Sequence, residues 1–181
     1  MEPGTWKIYF MKLFSGSANR PLADVVAKSL GSIVAPLEIF IFPDGERRIR
    51  VLESVVDQDV VIVQPTSKSA DINYMELFFI ADALQRSGAR SITAVIPYLG
   101  YERQDHVFRS GEAVSLDVVV HALERSGSSK VIMFDLHSIK IPEVFSVPVA
   151  HLSALPLFAE KIREISRGGP VGNTVLVSPD M

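Results

Sequence analysis

Short apolar, β-branched runs alternate along this chain with longer stretches whose apolar residues recur every three or four positions. No other feature constrains the fold as strongly, because the two periods demand different backbones. A period of two, or a short continuous apolar run, suits a strand; the longer period suits a helix with one buried face. Strands are expected over residues 9–14, 37–42, 47–52, 60–63, 92–96, 131–136 and 148–153. Between them lie four helices. The first opens at Pro21, presents Leu22, Val25, Val26 and Leu30 on one face and stops at Gly31. The second is capped by Asp71, carries Met75, Phe78, Phe79, Ala83 and Leu84, and stops at Gly88. That helix is apolar over more than one stripe, so it should pack on the sheet and on something else. The third is marked by Leu116, Val119, Val120 and Leu123 before Gly127, and the fourth is capped by Ser153 and runs through Ile165. Strands separated by helices pair in parallel, so the expected fold is α/β, a mostly parallel sheet with helices on both faces. One segment breaks the pattern. Residues 37–42 and 47–52 flank Pro43-Asp44-Gly45, a turn signature, and read as a hairpin flap.

A chain of 181 residues has room for one domain and a fraction of another. Residues 1–152 are expected to form an N-terminal domain. After the fourth helix comes the one linker-like stretch, Arg167-Gly168-Gly169-Pro170-Val171-Gly172, and a new strand is expected over residues 175–177. Residues 153–181 therefore read as the truncated beginning of a second, similar domain, and the chain as a fragment. Met11 could be a start of its own, with residues 1–10 an extension.

Composition removes several function classes. A formal net charge of -3 does not suit a polyanion-binding surface, which argues against nucleic acid as a partner. The absence of cysteine excludes disulfides, zinc–thiolate sites and thiol catalysis. No uninterrupted apolar run is long enough to span a bilayer, and the first residues carry no signal-peptide pattern, so the expected compartment is the cytoplasm. Walker, dinucleotide-binding and nucleophile-elbow motifs are all missing.

Chemistry gathers at the strand ends. The run over residues 92–96 stops at Pro97, and a loop with Gly100 then delivers Glu102, Arg103, Gln104 and Asp105 together. Open α/β sheets present ligand groups in this way at their carboxyl edge, and Arg beside Gln suits a ligand with anionic oxygens and amide-like edges. Asp135 and His137 stand two apart at the end of another strand. They could share a metal, an Asp could orient a His, or the pair could cap the next turn. Asp180, just past the run VLVSP, has the same local setting and could join them. His106, His121 and His151 are isolated and read as structural or surface residues.

Four pieces taken together resemble ribose-phosphate pyrophosphokinase, also called phosphoribosyl pyrophosphate synthetase. They are KLFSGSANRPLA, FPDGERRIRV, the run YMELFFIADALQRSGARSITAVIPYLGYERQD, and VIMFDLHS followed later by VSPD. Their order and spacing match that family over nearly the whole chain. The resemblance implies a phosphoribosyltransferase-like fold and transfer of the β,γ-pyrophosphoryl group of Mg-ATP to the 1-hydroxyl of ribose 5-phosphate, leaving AMP. On matching positions it implies that Arg103, Gln104 and Asp105 belong to an ATP-contacting loop. It implies that Phe42, Asp44 and Glu46 belong to a flap reaching the adenine of a neighbouring subunit's ATP, hence a homo-oligomer. His137 and Asp180 match magnesium ligands, with Asp135 in close support. The catalytic loop and the ribose-phosphate motif of the family would lie beyond Met181, so this chain alone is expected not to turn over. Two departures stand out: Ser146 and Ala150 occupy places that are often acidic, and His106-Val107-Phe108-Arg109 replaces a Lys/Arg-rich segment. A non-catalytic regulatory paralogue of the same family is the alternative reading. A metal-dependent phosphoesterase using Asp135 and His137 is a third.

Overall fold

The computed structural model describes residues 11–166, together with Val175 and Val177. Five parallel strands form the sheet: β1 (Lys12–Ser15), β4 (Asp59–Val63), β5 (Ser91–Ile96), β6 (Lys130–Phe134) and β7 (Val149–Leu152), side by side in that order. A separate antiparallel pair, β2 (Leu37–Ile41) and β3 (Arg47–Val51), is the hairpin, inserted between β1 and β4. Four α-helices follow the strands: α1 (Arg20–Ser29), α2 (Ala70–Arg86), α3 (Ser115–Arg125) and α4 (Leu155–Ser166). A single 3-10 turn, Ile141–Val144, connects β6 to β7.

The sheet is covered from both sides, as the alternation of runs demanded. Side chains alternate along each strand, so Phe14, Val60, Ile62, Ile92, Ala94, Ile96, Val131 and Met133 face one way and pack under α2 and α3. Leu13, Val61 and Val63 face the other way, against Ala23 and Ala27 of α1. The inward stripe of α1 is Ala23 and Ala27, both buried, flanked by half-buried Leu22 and Val26, whereas Val25 is 62% exposed and Leu30 37%. The expected stripe was rotated because two alanines let the helix lie close to the strands. Asn19 caps this helix by accepting from the Leu22 amide at 3.1 Å, and Gly31, at φ +66°, closes it.

Helix α2 is the hub. Tyr74, Leu77, Ile80, Ala81 and Leu84 are buried against the sheet, while its other side meets β3 and α3. These two are the further surfaces that its wide apolar stripe called for. Its N-cap is Ser69, in the left-handed region with no capping hydrogen bond, and not Asp71. Asp71 is the second residue of the first turn and accepts from the Tyr101 hydroxyl instead. The remaining strand limits differ from expectation by one to three residues at most, β6 ending at Phe134 because Asp135 turns to φ +43°. The expected start of β1 at residues 9–10, the linker-like stretch, Leu176 in the middle of the expected strand over residues 175–177, and Asp180 lie outside the described residues. No helix among the described residues is long and apolar enough to cross a membrane.

Candidate functional site

Parallel strands all end at the same edge, so the loops after β4, β5 and β6 open side by side. The structure binds these loops to one another. Beyond β4, the Thr66 amide and hydroxyl both donate to the Tyr98 carbonyl at 2.9 Å. The Thr66 hydroxyl also accepts from the Gly100 amide at 2.8 Å. From α2, the Tyr74 hydroxyl donates to the Gly100 carbonyl at 2.8 Å. Burial pushes the Tyr74 pKa up, so this phenol stays a donor. Gly100 is a steric necessity here, because a Cβ would stand 2.5 Å from the Thr66 carbonyl oxygen.

The next residues form the exposed part of the loop. Tyr101, at φ +63°, donates its hydroxyl to Asp71, and that hydrogen bond raises its pKa. Arg103 and Gln104 are exposed. Main-chain bonds hold Gln104: its amide donates to the Tyr101 carbonyl at 2.8 Å, and its carbonyl accepts from the Leu116 amide at the start of α3 at 3.2 Å. Asp105 is half-buried and pairs with the His106 ring, which lies against Phe108 at 3.9 Å between centroids. His106 is thus an exposed residue, as expected, paired with its chain neighbour Asp105. In the segment that departs from the basic pattern, Glu112 accepts from the amides of Phe108 and Arg109 at 3.0 and 2.9 Å. That acid orders the loop.

One contact joins the β5 and β6 tips. The His137 amide donates to the Glu102 carboxylate at 3.0 Å, so Arg103 and His137 belong to neighbouring loops. Asp135 and His137 do not act as a matched pair on a strand end. The Asp135 carboxylate accepts from the Ser153 hydroxyl at 3.0 Å and from the Ala154 amide at 3.1 Å, fastening the β6 tip to the beginning of α4. Ser153 in turn accepts from the Leu155 amide at 3.2 Å. This is the turn-capping role among the three open to Asp135. Ser146 has its own structural task, donating amide and hydroxyl to Glu124, both at 2.6 Å. Burial works to raise the Glu124 pKa, but these hydrogen bonds and that of the Val147 amide outweigh it and leave it lowered. His151 accepts from the Leu136 amide at 3.2 Å, and His121 is held by Asp117 one turn earlier in α3.

The hairpin turn gathers the other sequence-selected residues. Its main chain closes with the Phe42 amide donating to the Glu46 carbonyl at 2.8 Å. Asp44 accepts from the Glu46 amide at 3.1 Å, and Gly45 supplies φ +92°. The Phe42 ring meets Phe40 edge-on at 4.9 Å, and the Arg48 guanidinium lies 5.1 Å from Phe40 and 5.8 Å from Phe42. No hydrogen bond or ion pair among the described residues connects Phe42, Asp44 or Glu46 to the Arg103–Asp105 loop. A cavity of about 520 Å³ separates the turn from α2, bounded by Glu46, Arg47, Asp71, Ile72, Met75 and Phe79.

Sequence reasoning overlooked the polar side chains that hold this edge together. Glu76 is 1% exposed and Gln64 is fully buried. The signal for Glu76 was present: one carboxylate inside the apolar run of α2, where an unpaired charge would be prohibitive. For magnesium, the His137 ring at the β6 tip is exposed, but Asp135 fits poorly because both oxygens are engaged by Ser153 and Ala154. No three His, Asp or Glu side chains among the described residues lie close enough to enclose a cation. A magnesium ion here would keep a shell of phosphate oxygens and water, as that ion commonly does.

Known proteins resemble this chain over most of its length. The family model described as the N-terminal domain of ribose phosphate pyrophosphokinase matches residues 11–127. A ribose-phosphate pyrophosphokinase of Methanothermobacter thermautotrophicus is 43% identical over 164 residues, covering 91% of this chain and 55% of that protein. One from Thermotoga maritima is 39% identical over 171 residues, covering 94% of this chain and 54% of that protein. The chain thus spans about half the length of the curated relatives it matches. In the crystal structure of phosphoribosylpyrophosphate synthetase from Mycobacterium smegmatis, 52% of that chain superimposes on 85% of this one with a TM-score of 0.83 and 35% identity.

Proposed function

Because the chain belongs to the ribose-phosphate pyrophosphokinase family, we propose that it supplies the nucleotide-holding part of an enzyme that transfers the pyrophosphoryl group of Mg-ATP to the 1-hydroxyl of ribose 5-phosphate. The products are phosphoribosyl pyrophosphate and AMP, in the service of nucleotide biosynthesis in the cytoplasm. The observation that carries this reading is the joining of the β5 and β6 tips through Glu102 and the His137 amide, which puts Arg103 and the His137 loop at one edge.

Pyrophosphoryl transfer spreads negative charge over phosphate oxygens and asks little covalent chemistry of the protein. Arg103 offsets that charge, and Gln104 offers donors and an acceptor beside it. Asp105, backed by His106, fixes the far side of the loop. Magnesium, bound with the triphosphate, supplies further charge neutralisation, and His137 and Asp180 are the side chains that would reach it. At the hairpin turn, Phe42 offers a ring face to a nucleobase, and Asp44 and Glu46 offer oxygens to its amino group. In the family these positions match a flap that reaches a neighbouring subunit's site, which supports service to a second copy and a homo-oligomer. Residues 153–181 would begin a second domain, and ribose 5-phosphate would be held by parts of the relatives' length that this chain does not span.

The test is a coupled assay of AMP release from Mg-ATP. AMP release that depends on ribose 5-phosphate is expected from a chain extended to the relatives' full length and not from the 181-residue chain. An extended chain that folds and releases no AMP would refute the assignment.

A further inference from the structure

The Glu76 carboxylate lies in the middle of α2, 1% exposed, and takes hydrogen bonds from three separate parts of the fold. The Ser17 amide and hydroxyl, just past the β1 tip, donate at 2.5 and 2.9 Å. Gln64, just past the β4 tip, donates its side-chain amide at 3.1 Å. Arg47, the first residue of β3, donates Nε at 3.3 Å, and it is the only cation within ion-pair distance of Glu76 among the described residues. A buried carboxylate cannot swing out to water, and breaking its pairing is expensive. Whatever it holds is therefore held in place. Arg47 directly follows Glu46, whose carbonyl closes the hairpin turn onto the Phe42 amide. Arg47 is 16% exposed and points under the hairpin, whereas Arg48 is 58% exposed and lies over Phe40 and Phe42 on the other face.

We propose that Arg47, pinned by Glu76, is a positioning residue that registers the turn bearing Phe42, Asp44 and Glu46 against the strand tips. Through this pair the base-recognising part of the site is set independently of the triphosphate-recognising part. The inference rests on the nucleotide reading above, and it makes a distinction that reading alone does not: the base contact depends on Arg47, and the phosphate contact does not.

Two ligands separate the parts, Mg-ATP and Mg-tripolyphosphate, the second having no base. Calorimetric titration of the 181-residue chain is compared with that of Arg47→Leu. The expected result is Mg-ATP bound about tenfold more weakly, the worth of one charge-assisted hydrogen bond, with Mg-tripolyphosphate changed by less than about twofold. Arg47→Lys, which keeps the charge, should recover part of the lost affinity, and it serves as the test if Arg47→Leu does not fold. Equal weakening of both ligands, or unchanged Mg-ATP binding in both variants, overturns the positioning role. If the unmodified chain binds neither ligand, the nucleotide reading itself fails and the inference falls with it.

Discussion

Replacing Gly100 by alanine should destabilise the chain out of proportion to the single methyl group added. The new Cβ would stand 2.5 Å from the Thr66 carbonyl oxygen and 3.2 Å from both the Ala70 methyl and a Tyr74 ring carbon. The closest of these is backbone and cannot rotate aside. Either the loop after β5 or the loop after β4 must retreat by several tenths of an ångström. Retreat stretches the bonds from Gly100 to Thr66 and from Tyr74 to Gly100, both 2.8 Å. Overpacking alone costs roughly 1–3 kcal/mol, and each weakened buried hydrogen bond about another 1. A loss of about 3 kcal/mol is expected, equivalent to a fall of roughly 6–12 °C in Tm for a chain of this size. Urea unfolding followed by circular dichroism measures it, with an unchanged slope showing that the denatured state is the same. Gly111→Ala is the control: at φ +92° it has nothing within 4 Å of the new methyl, so only backbone strain of about 1 kcal/mol should appear. If Gly100→Ala loses under about 0.5 kcal/mol, or no more than Gly111→Ala, the loops are not fastened as described.

Other outcomes follow from the same contacts. The Asp59 carboxyl is held down from 3.8 to about 2, chiefly by the Arg90 hydrogen bond and then by Ser91. A depressed pKa adds stability that is fully present above about pH 4 and is lost as pH falls toward about 2, so Asp59→Asn should lose stability at neutral pH and flatten that acid limb in pH-dependent urea titrations. Asp135→Ala should speed amide exchange over the first turn of α4 while leaving β5 exchange unchanged, since the carboxylate caps Ala154; Asp135→Asn, which keeps one acceptor, should lie between. Leu77→Ala, at a fully buried position on the sheet-facing side of α2, should cost about 2–5 kcal/mol by thermal unfolding.

Much of the fold could be read from the sequence because hydrophobic period is a local property. Residues such as Val60 to Val63 and the stripe of α3 declare their environment without reference to distant chain. The hairpin was legible for the same reason, since Pro43-Asp44-Gly45 is a turn signature between an apolar run and a charged–apolar alternation. Positions set by tertiary contact were not legible. The α1 face turned because Ala23 and Ala27 allow close approach to the sheet, which periodicity alone does not weigh. Asp71 has the chemistry of a cap but meets Tyr101, which comes 30 residues later. Asp135 was expected to share a strand face with His137. A positive φ ends the strand just before it, and Ser153 and Ala154 claim the carboxylate. The Arg103, Gln104 and Asp105 cluster was visible as composition, but its link to the His137 loop runs through Glu102 and a backbone amide, which no pattern encodes.

Titration calorimetry of Mg-ATP into the chain and into Arg103→Ala tests the central claim most directly. A saturable heat that requires magnesium and vanishes in Arg103→Ala is expected, because Arg103 is exposed beside the His137 loop with no ion-pair partner among the described residues. No saturable heat from the unmodified chain, or equal affinity in the two, would contradict it.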